Sequence, residues 1–245
     1  MKLSNADFTA AKRVEYIAAT FNTLYFNRGE PNSLFDFSEP GVILMDFIDY
    51  DQYAEEYDQR YTTDECLEEN EVIKNRFLSL PCDLEKARIL DIGSGSGFLL
   101  DLVGKHISHS LYTGVDVSVE MTMLAAKKYP HSLFIHNAAE KTIREIATPH
   151  DIVVTLFSIP YFGADAMEDI YSLLKVGGIC FACYYQAPYV NKSSIYSGKE
   201  AYYKENVAPR VQQCIKRAEG LFNAVYNTPL TESEAYNIAL FQKRR

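Results

Sequence analysis

An acid and three glycines alternate in this sequence in the pattern Asp-x-Gly-x-Gly-x-Gly, at Asp91, Gly93, Gly95 and Gly97. The residues before the first glycine read as a short buried strand, and those after the third read as the start of an amphipathic helix. In such a turn, backbone N–H groups can approach a polar or charged small molecule. Glycine is needed where a side chain would clash with the ligand or where φ must be positive. The pattern therefore predicts a binding loop for a small ligand, and an ordinary tight turn is the alternative.

A second acid follows at a distance that suits the same ligand. The segment 111–118 reads as a strand that ends in Asp116, about twenty residues after the glycines. In a doubly wound sheet, a carboxylate at this point can accept hydrogen bonds from both hydroxyls of a ribose. Ser118 then predicts the N-cap of a helix that runs to Tyr129, before Pro130.

Three further elements follow in alternation, as in a sheet with helices on both faces. Asp151–Phe157 is almost continuously apolar, which is typical of a strand covered on both sides. A helix is predicted over Ala164–Leu174, followed by a turn at 175–178 whose glycines would form its C-cap. The next strand is predicted over Ile179–Tyr185.

In order and spacing, these motifs resemble those of class I S-adenosylmethionine-dependent methyltransferases. The likeness covers residues 88–185, including a third strand and adenine-binding loop at 133–140 and the sequence LLKVGG at 173–178. It implies an α/β fold, a Rossmann-like, doubly wound sheet of seven mostly parallel strands. The strand at 88–92 should be central, and an antiparallel hairpin at 222–226 and 235–242 should close the sheet.

The resemblance also implies the cofactor, S-adenosyl-L-methionine, and the residues that hold it. Many members carry an Asp for the adenine amino group where this chain has Ala138, so backbone groups and apolar packing should hold the adenine. Upstream, residues 57–61 resemble a Y-D-x-x-Y element that can reach the methionyl end. The implied cofactor-binding residues are Tyr57, Tyr61, Asp91, Gly93, Ser94, Gly95, Asp116, Val117, Ala138, Ala139 and Phe157.

The acceptor is expected beside the segment Phe157–Tyr161, which follows the fourth strand. The candidate catalytic residues are Ser158, Tyr161 and Tyr185, and no general base stands out. A tyrosine-rich excursion at 186–210 is suited to a planar or apolar small-molecule acceptor. Ser158-Ile159-Pro160-Tyr161 also resembles the (D/N/S)-P-P-(Y/F) element of enzymes that methylate exocyclic amines of nucleobases, so RNA or DNA methylation is the alternative.

Composition narrows the possible partners and compartments. The net charge of −9 disfavours binding to duplex nucleic acid through its phosphates. Eleven acids between Asp46 and Glu71 predict a solvated helix face or, alternatively, a negative rim at the site. Five irregularly spaced cysteines suit a reducing compartment. Cys180 and Cys183 are predicted as two core residues on opposite faces of a strand, with no metal site.

The expected organisation is a helical cap or extension at 1–50, with a helix over 6–26, followed by one methyltransferase domain at 51–245. The cap could contact the core or a second copy, so a monomer or a homodimer is expected. No apolar run is long enough to span a bilayer, and a cytoplasmic location is expected. A non-catalytic S-adenosylmethionine-binding protein and a nicotinamide dehydrogenase remain as further alternatives.

Overall fold

The computed structural model describes residues 50–60, 64–138, 145–146, 148–163, 165–185, 201, 203–231 and 236–244. The expected cap at 1–50, except Tyr50, lies outside them, as do Tyr61, Ala139 and most of the excursion at 186–210. The domain boundary near residue 50 therefore stays a prediction. In the described part of the chain, no helix combines the length and the apolar character needed to cross a membrane.

Seven strands form one sheet in the order β3-β2-β1-β4-β5-β7-β6. Neighbouring strands from β3 to β5 are parallel, and β7 is antiparallel to both β5 and β6. The predicted fold class is confirmed, including the central position of β1 and the antiparallel C-terminal pair. The strands are β1 Ile89–Ile92, β2 Tyr112–Asp116, β3 Leu133–His136, β4 His150–Leu156, β5 Leu174–Tyr185, β6 Asn223–Pro229 and β7 Tyr236–Gln242.

Six α-helices flank the sheet within the described residues. The Ser118 hydroxyl accepts a hydrogen bond of 3.1 Å from the Met121 N–H and so caps the helix Val119–Lys128 at its N-terminus, as predicted. A π-helical turn at Tyr203–Val207 precedes α6. The helices are α1 Tyr50–Arg60, α2 Asp64–Leu78, α3 Phe98–Val103, α4 Val119–Lys128, α5 Ala166–Leu173 and α6 Ala208–Leu221.

Apolar residues of the central strands fill two cores, one on each face of the sheet. Helices α2 and α3 contribute to one core and helices α5 and α6 to the other. Cys180 is buried in the core beneath α5 and α6, and Cys183 in the core beneath α2. Burial raises the pKa of both thiols, that of Cys180 to about 12. The prediction that Cys180 and Cys183 are core residues on opposite faces of a strand is confirmed.

One local prediction is wrong, that of a glycine C-cap after α5. The helix ends at Leu173, its C-cap Leu174 is extended, and β5 already begins there. Gly177 does have a positive φ of 77°, but it lies within β5. Its N–H donates to the Lys243 carbonyl at 3.3 Å, beside a register shift between β4 and β5. Hydrogen bonding to Lys243 and pairing with β4 therefore extend the strand through the residues that were predicted as a turn.

Helix α2 is fixed to the sheet by an aromatic contact. The rings of Phe77 and Phe181 meet edge to face with centroids 5.4 Å apart, and both side chains are fully buried. Phe77→Ala should lower the free energy of unfolding by about 3–5 kcal/mol through lost transfer energy and a cavity. Chemical denaturation measures this. Leu67→Ala, at a half-exposed position of α2, should change it by less than about 1 kcal/mol, and equal effects would contradict the assignment.

Candidate functional site

The glycine loop lies at the carboxyl end of β1, in the middle of the sheet. Gly93, Gly95 and Gly97 all have positive φ, at 75°, 53° and 94°. The N–H groups of Gly93 and Ser94 donate to the Val115 carbonyl of β2, at 2.8 Å and 3.1 Å. The sequence pattern thus produces a sharp turn that is anchored to the neighbouring strand.

Gly93 also marks the closest approach between the loop and the residues after β4. A Cβ atom on Gly93 would lie 2.4 Å from the Cβ of Ser158, which is too close for any side chain. The Ser158 hydroxyl donates to the Ile92 carbonyl at 2.6 Å. Ser158 therefore ties the ends of β1 and β4 together, and its proton is engaged in that bond.

Asp116, at the end of β2, lies over the loop. Its Oδ2 accepts from the Gly95 N–H at 2.8 Å, and its Oδ1 accepts from the Ser118 N–H at 2.9 Å. Burial raises the pKa of this carboxyl, and these N–H donors oppose the shift. A carboxylate can accept about four hydrogen bonds, so each oxygen retains capacity for a hydroxyl donor.

Asp91 is the buried acid of the glycine pattern. Its Oδ2 accepts from the Tyr112 hydroxyl at 2.7 Å, whereas its Oδ1 has no hydrogen-bond partner within the described residues. Burial raises the pKa of Asp91 to about 7; the Tyr112 hydrogen bond opposes this shift and the charge of Asp116 adds to it. The buried Ser94 hydroxyl likewise has no partner in this part of the chain. An uncompensated buried carboxyl is suited to a cationic or N–H-bearing group of a ligand.

The residues after β2 and β3 hold one another beside Asp116. The Asn137 N–H donates to the Asp116 carbonyl at 2.9 Å, and the Ala138 N–H donates to the Asn137 side-chain oxygen at 2.9 Å. His136 Nε2 lies 2.9 Å from the Val117 carbonyl. Val117 and Ala138 are therefore next to the predicted ribose acid.

Helix α1 joins the residues that follow β2 to those that follow β4. Asp51 accepts from the Ser118 hydroxyl at 2.6 Å and from the Glu120 N–H at 3.2 Å. At the preceding residue of the same helix, the hydroxyl oxygens of Tyr50 and Tyr161 are 2.6 Å apart. Tyr57 packs edge to face on Tyr50, with centroids 5.8 Å apart. Tyr50 also packs edge to face on Tyr161, so Tyr57, Tyr50 and Tyr161 form one aromatic group.

A separate group of three rings lies at the carboxyl ends of β4 and β5, formed by Phe157, Tyr185 and Tyr236. Their centroids are 4.8 Å to 5.7 Å apart. Phe157 has φ +61°, the only positive value of a non-glycine residue in the described part of the chain. Such a backbone is strained for a bulky residue, and strained residues tend to cluster at functional sites. Tyr185, a candidate from the sequence, therefore lies apart from Tyr161.

Several side chains that contact or neighbour these groups are not singled out by the sequence patterns. Tyr112 and Asp51 make contacts with residues distant in sequence, which no local pattern reveals. The sequence does indicate the position of Glu69. It lies four residues before Ile73 and eight before Phe77, so it shares the helix face of these two buried side chains. Asp51 and Glu69 both belong to the acidic run between Asp46 and Glu71: Asp51 is exposed and hydrogen-bonded to Ser118 and Glu120, and Glu69 is half-buried.

Residues 89–178 match the family model described as a methyltransferase domain. Among curated proteins, the demethylmenaquinone methyltransferase of Chlorobaculum tepidum is 28% identical over 143 residues, which are 58% of this chain and 57% of that protein. The enzyme of the same name from Chlorobaculum parvum is 28% identical over 159 residues, 63% of this chain and 64% of the relative. The match therefore spans less than two thirds of either relative.

Solved structures share the fold at low sequence identity. Magnesium protoporphyrin IX methyltransferase from Synechocystis PCC 6803, with bound S-adenosylmethionine, has a TM-score of 0.57 and 14% identity, over 88% of this chain and all of that chain. The plantazolicin methyltransferase in complex with S-adenosylhomocysteine has a TM-score of 0.58 and 16% identity, over 84% and 95%. The match to a methyltransferase domain thus covers the stretch from β1 into β5, including the glycine loop, and the solved structures show that the whole seven-stranded sheet is a shared fold.

Proposed function

We propose that this protein binds S-adenosylmethionine at the glycine loop and transfers its methyl group to a small-molecule acceptor. The observation that carries the proposal is the bond from the Gly95 N–H to Asp116, which joins the loop to the acid of the next strand. A glycine turn and a carboxylate held together in this way present backbone N–H groups and hydroxyl acceptors on one edge.

The polar groups at this edge suit the two ends of the ligand. Asp116 is suited to the ribose hydroxyls. The free oxygen of Asp91 is suited to the α-ammonium of the methionyl part, because burial next to the glycine loop leaves that oxygen with no partner in the described chain. Val117 and Ala138 are beside the ribose acid and would contact the adenine through backbone and apolar atoms.

When bound, S-adenosylmethionine supplies a methyl group made electrophilic by its sulfonium. The chain must then hold an acceptor in line with that group, and positioning alone can lower the barrier by about 7–11 kcal/mol. The contact between Gly93 and Ser158 puts the segment after β4 directly against the predicted methionyl position. Phe157 and Tyr161 flank this contact, so the acceptor would enter from their side.

Three observations favour a small molecule over a nucleobase. The curated relatives are named for demethylmenaquinone, a small molecule. The net charge of −9 opposes a polyanion. In the segment that resembles a base-binding element, the Ser158 hydroxyl donates inward to the Ile92 carbonyl, and Ile159 and Pro160 are buried.

The direct test is turnover of labelled S-adenosylmethionine against separate pools of metabolites, nucleosides and RNA, with methylated products identified by mass. Product in the metabolite pool supports the proposal. Product confined to RNA or nucleosides would replace it with nucleobase methylation. Binding of the cofactor without turnover in any pool would support a non-catalytic binding protein.

Asp116→Ala should weaken the binding of S-adenosylhomocysteine at least about tenfold, because it removes charge-assisted hydrogen bonds to the ribose. Isothermal calorimetry measures the affinity, and a thermal melt checks the fold, since Asp116 also accepts from Gly95 and Ser118. Asp83→Ala is the matched control, because the Asp83 carboxylate pairs with Lys86 on the surface. Unchanged affinity in a folded Asp116→Ala variant would contradict the assignment.

Affinity for S-adenosylhomocysteine should rise with pH up to about 7. Asp91 has its pKa raised to about 7, so below that pH it is mostly protonated and must lose its proton to pair with the ligand ammonium. Binding near pH 6 should therefore release a proton, and affinity should approach a tenfold gain per pH unit well below the pKa.

Calorimetry in buffers of different ionisation enthalpy counts the released protons. Asp91→Asn should abolish the release and flatten the pH dependence, while its amide oxygen can still accept from Tyr112. A wild-type affinity that is constant between about pH 6 and pH 8 would rule out this role for Asp91.

A further inference from the structure

We propose that Glu69 binds the hydroxyl group of the methyl acceptor and takes its proton, and that the acceptor is a planar hydroxyaromatic molecule held by Phe157, Tyr185 and Tyr236. This inference rests on the proposed methyl transfer and extends it to the acceptor class and the base. It concerns Glu69 of α2 and three rings from the ends of β4, β5 and β7.

The first step of the argument is the direction in which Glu69 points. Residues four apart on a helix share one face, so Glu69 lies in line with Ile73 and Phe77. Both of those side chains are fully buried against the sheet, and Glu69 itself is half-buried. A carboxylate thus continues the sheet-facing stripe of α2.

The second step of the argument is the position of Glu69 along strand β5. Phe77 contacts Phe181, and the eight residues from Phe77 back to Glu69 span about 12 Å of helix. Four residues of strand, from Phe181 to Tyr185, span about 13 Å. The charge of Glu69 acts on Cys183 and on Tyr236, the partner of Tyr185, so α2 runs antiparallel to β5. Glu69 therefore lies level with the end of β5.

The third step is the group that Glu69 faces. Tyr236 is opposite Tyr185 in the β5–β7 pair and shares the face of Ile238 and Leu240, which lie in the core beneath α2. The Tyr185 hydroxyl is hydrogen-bonded to Tyr236. Glu69 therefore stands across from the three rings, at the carboxyl edge of the sheet.

The charges around Glu69 leave it suited to accept a proton. Burial raises the pKa of Glu69, the neighbouring Glu68 adds to the shift, and a hydrogen bond from its own backbone opposes it. The groups that face it from the sheet are Cys183 and Tyr236, and burial raises the pKa of both, so both are neutral near pH 7. Among the described residues, no Lys or Arg forms an ion pair with it.

The three rings suit a flat apolar partner next to the predicted methyl donor. Aromatic side chains bind planar rings by offset or edge-to-face contact, and Tyr adds polar atoms at the rim. Phe157 directly precedes Ser158, the residue in contact with Gly93. Phe157, which has the strained backbone, thus connects the ring cluster to the residue that touches the glycine loop.

The resulting step is balanced with the groups named. The acceptor O–H donates to the Glu69 carboxylate, and its oxygen forms a bond to the methyl carbon while the carbon–sulfur bond breaks. Sulfur keeps the electron pair of the broken bond, and the hydroxyl proton passes to Glu69. The products are a methyl ether, neutral S-adenosylhomocysteine and a protonated Glu69, which returns its proton to solvent.

The test measures binding before turnover. Protein saturated with S-adenosylhomocysteine is titrated with 2-naphthol and with 2-methoxynaphthalene, which has the same ring system but no hydroxyl proton. The variants are Glu69→Gln and the control Glu71→Gln, whose side chain lies on the outer face of α2 and pairs with Lys74 at 2.9 Å. The affinity for S-adenosylhomocysteine is measured for all proteins.

Wild type and Glu71→Gln should bind 2-naphthol about tenfold more tightly than 2-methoxynaphthalene, because a hydroxyl donates to a charged acceptor. Glu69→Gln should lose most of that preference and retain its affinity for S-adenosylhomocysteine. Equal binding of the two probes by wild type, no binding of either, or an unchanged preference in Glu69→Gln would each overturn the proposal. If the wild type failed to bind S-adenosylhomocysteine, the proposed function itself would be refuted.

Turnover supplies a second readout. With 2-naphthol as acceptor and S-adenosylmethionine kept saturating at every pH, so that Asp91 does not limit binding, kcat/KM of wild type for 2-naphthol should rise with pH through the titration of Glu69, and 2-methoxynaphthalene should form as product. In Glu69→Gln, kcat/KM should no longer rise with pH in this range (the acidic limb of the profile), and it should be at least about tenfold lower than in wild type. Retention of the limb in Glu69→Gln would assign the proton transfer to another group.

Discussion

The contact between Gly93 and Ser158 is the constraint on which the site depends. The end of β1 and the turn after β4 approach so closely that only a glycine fits, and the Ser158 hydroxyl closes the contact on the Ile92 carbonyl. This contact puts the glycine loop, which is anchored to β2, beside Phe157 and the ring cluster, which belong to β4, β5 and β7. Elements that are far apart in the sequence thereby share one edge of the sheet.

Three carboxylates lie at or near that edge, and each accepts hydrogen bonds from N–H or O–H donors. Asp116 accepts from two backbone N–H groups, Asp51 from a hydroxyl and a backbone N–H, and Asp91 from a phenol. Dipoles from these donors stabilise the charged forms of the carboxylates. The edge therefore keeps a negative field, which favours a ligand that carries a sulfonium and an ammonium.

The sequence was sufficient where local patterns determine structure. The strands along the chain, the glycine turn, Asp116 at the end of β2 and the Ser118 cap follow from residues that are close in the chain, whereas the antiparallel C-terminal pair followed from the family resemblance. The C-cap after α5 was wrong because strand pairing with Lys243 and β4 outweighed local turn chemistry. The partner of Asp91, Tyr112, and the position of Glu69 over β5 depend on how strands and helices pack, which spacing in one sequence does not encode.

The left-handed backbone of Phe157 sets two selective pressures against each other. A non-glycine residue there costs about 1–2 kcal/mol relative to a relaxed backbone. Glycine would recover that energy but would delete one of three packed rings. Mutations that make the chain more heat-resistant and mutations that keep the ring cluster intact therefore pull this position in opposite directions. Evolution toward higher temperature would have to find its stability elsewhere in the sheet.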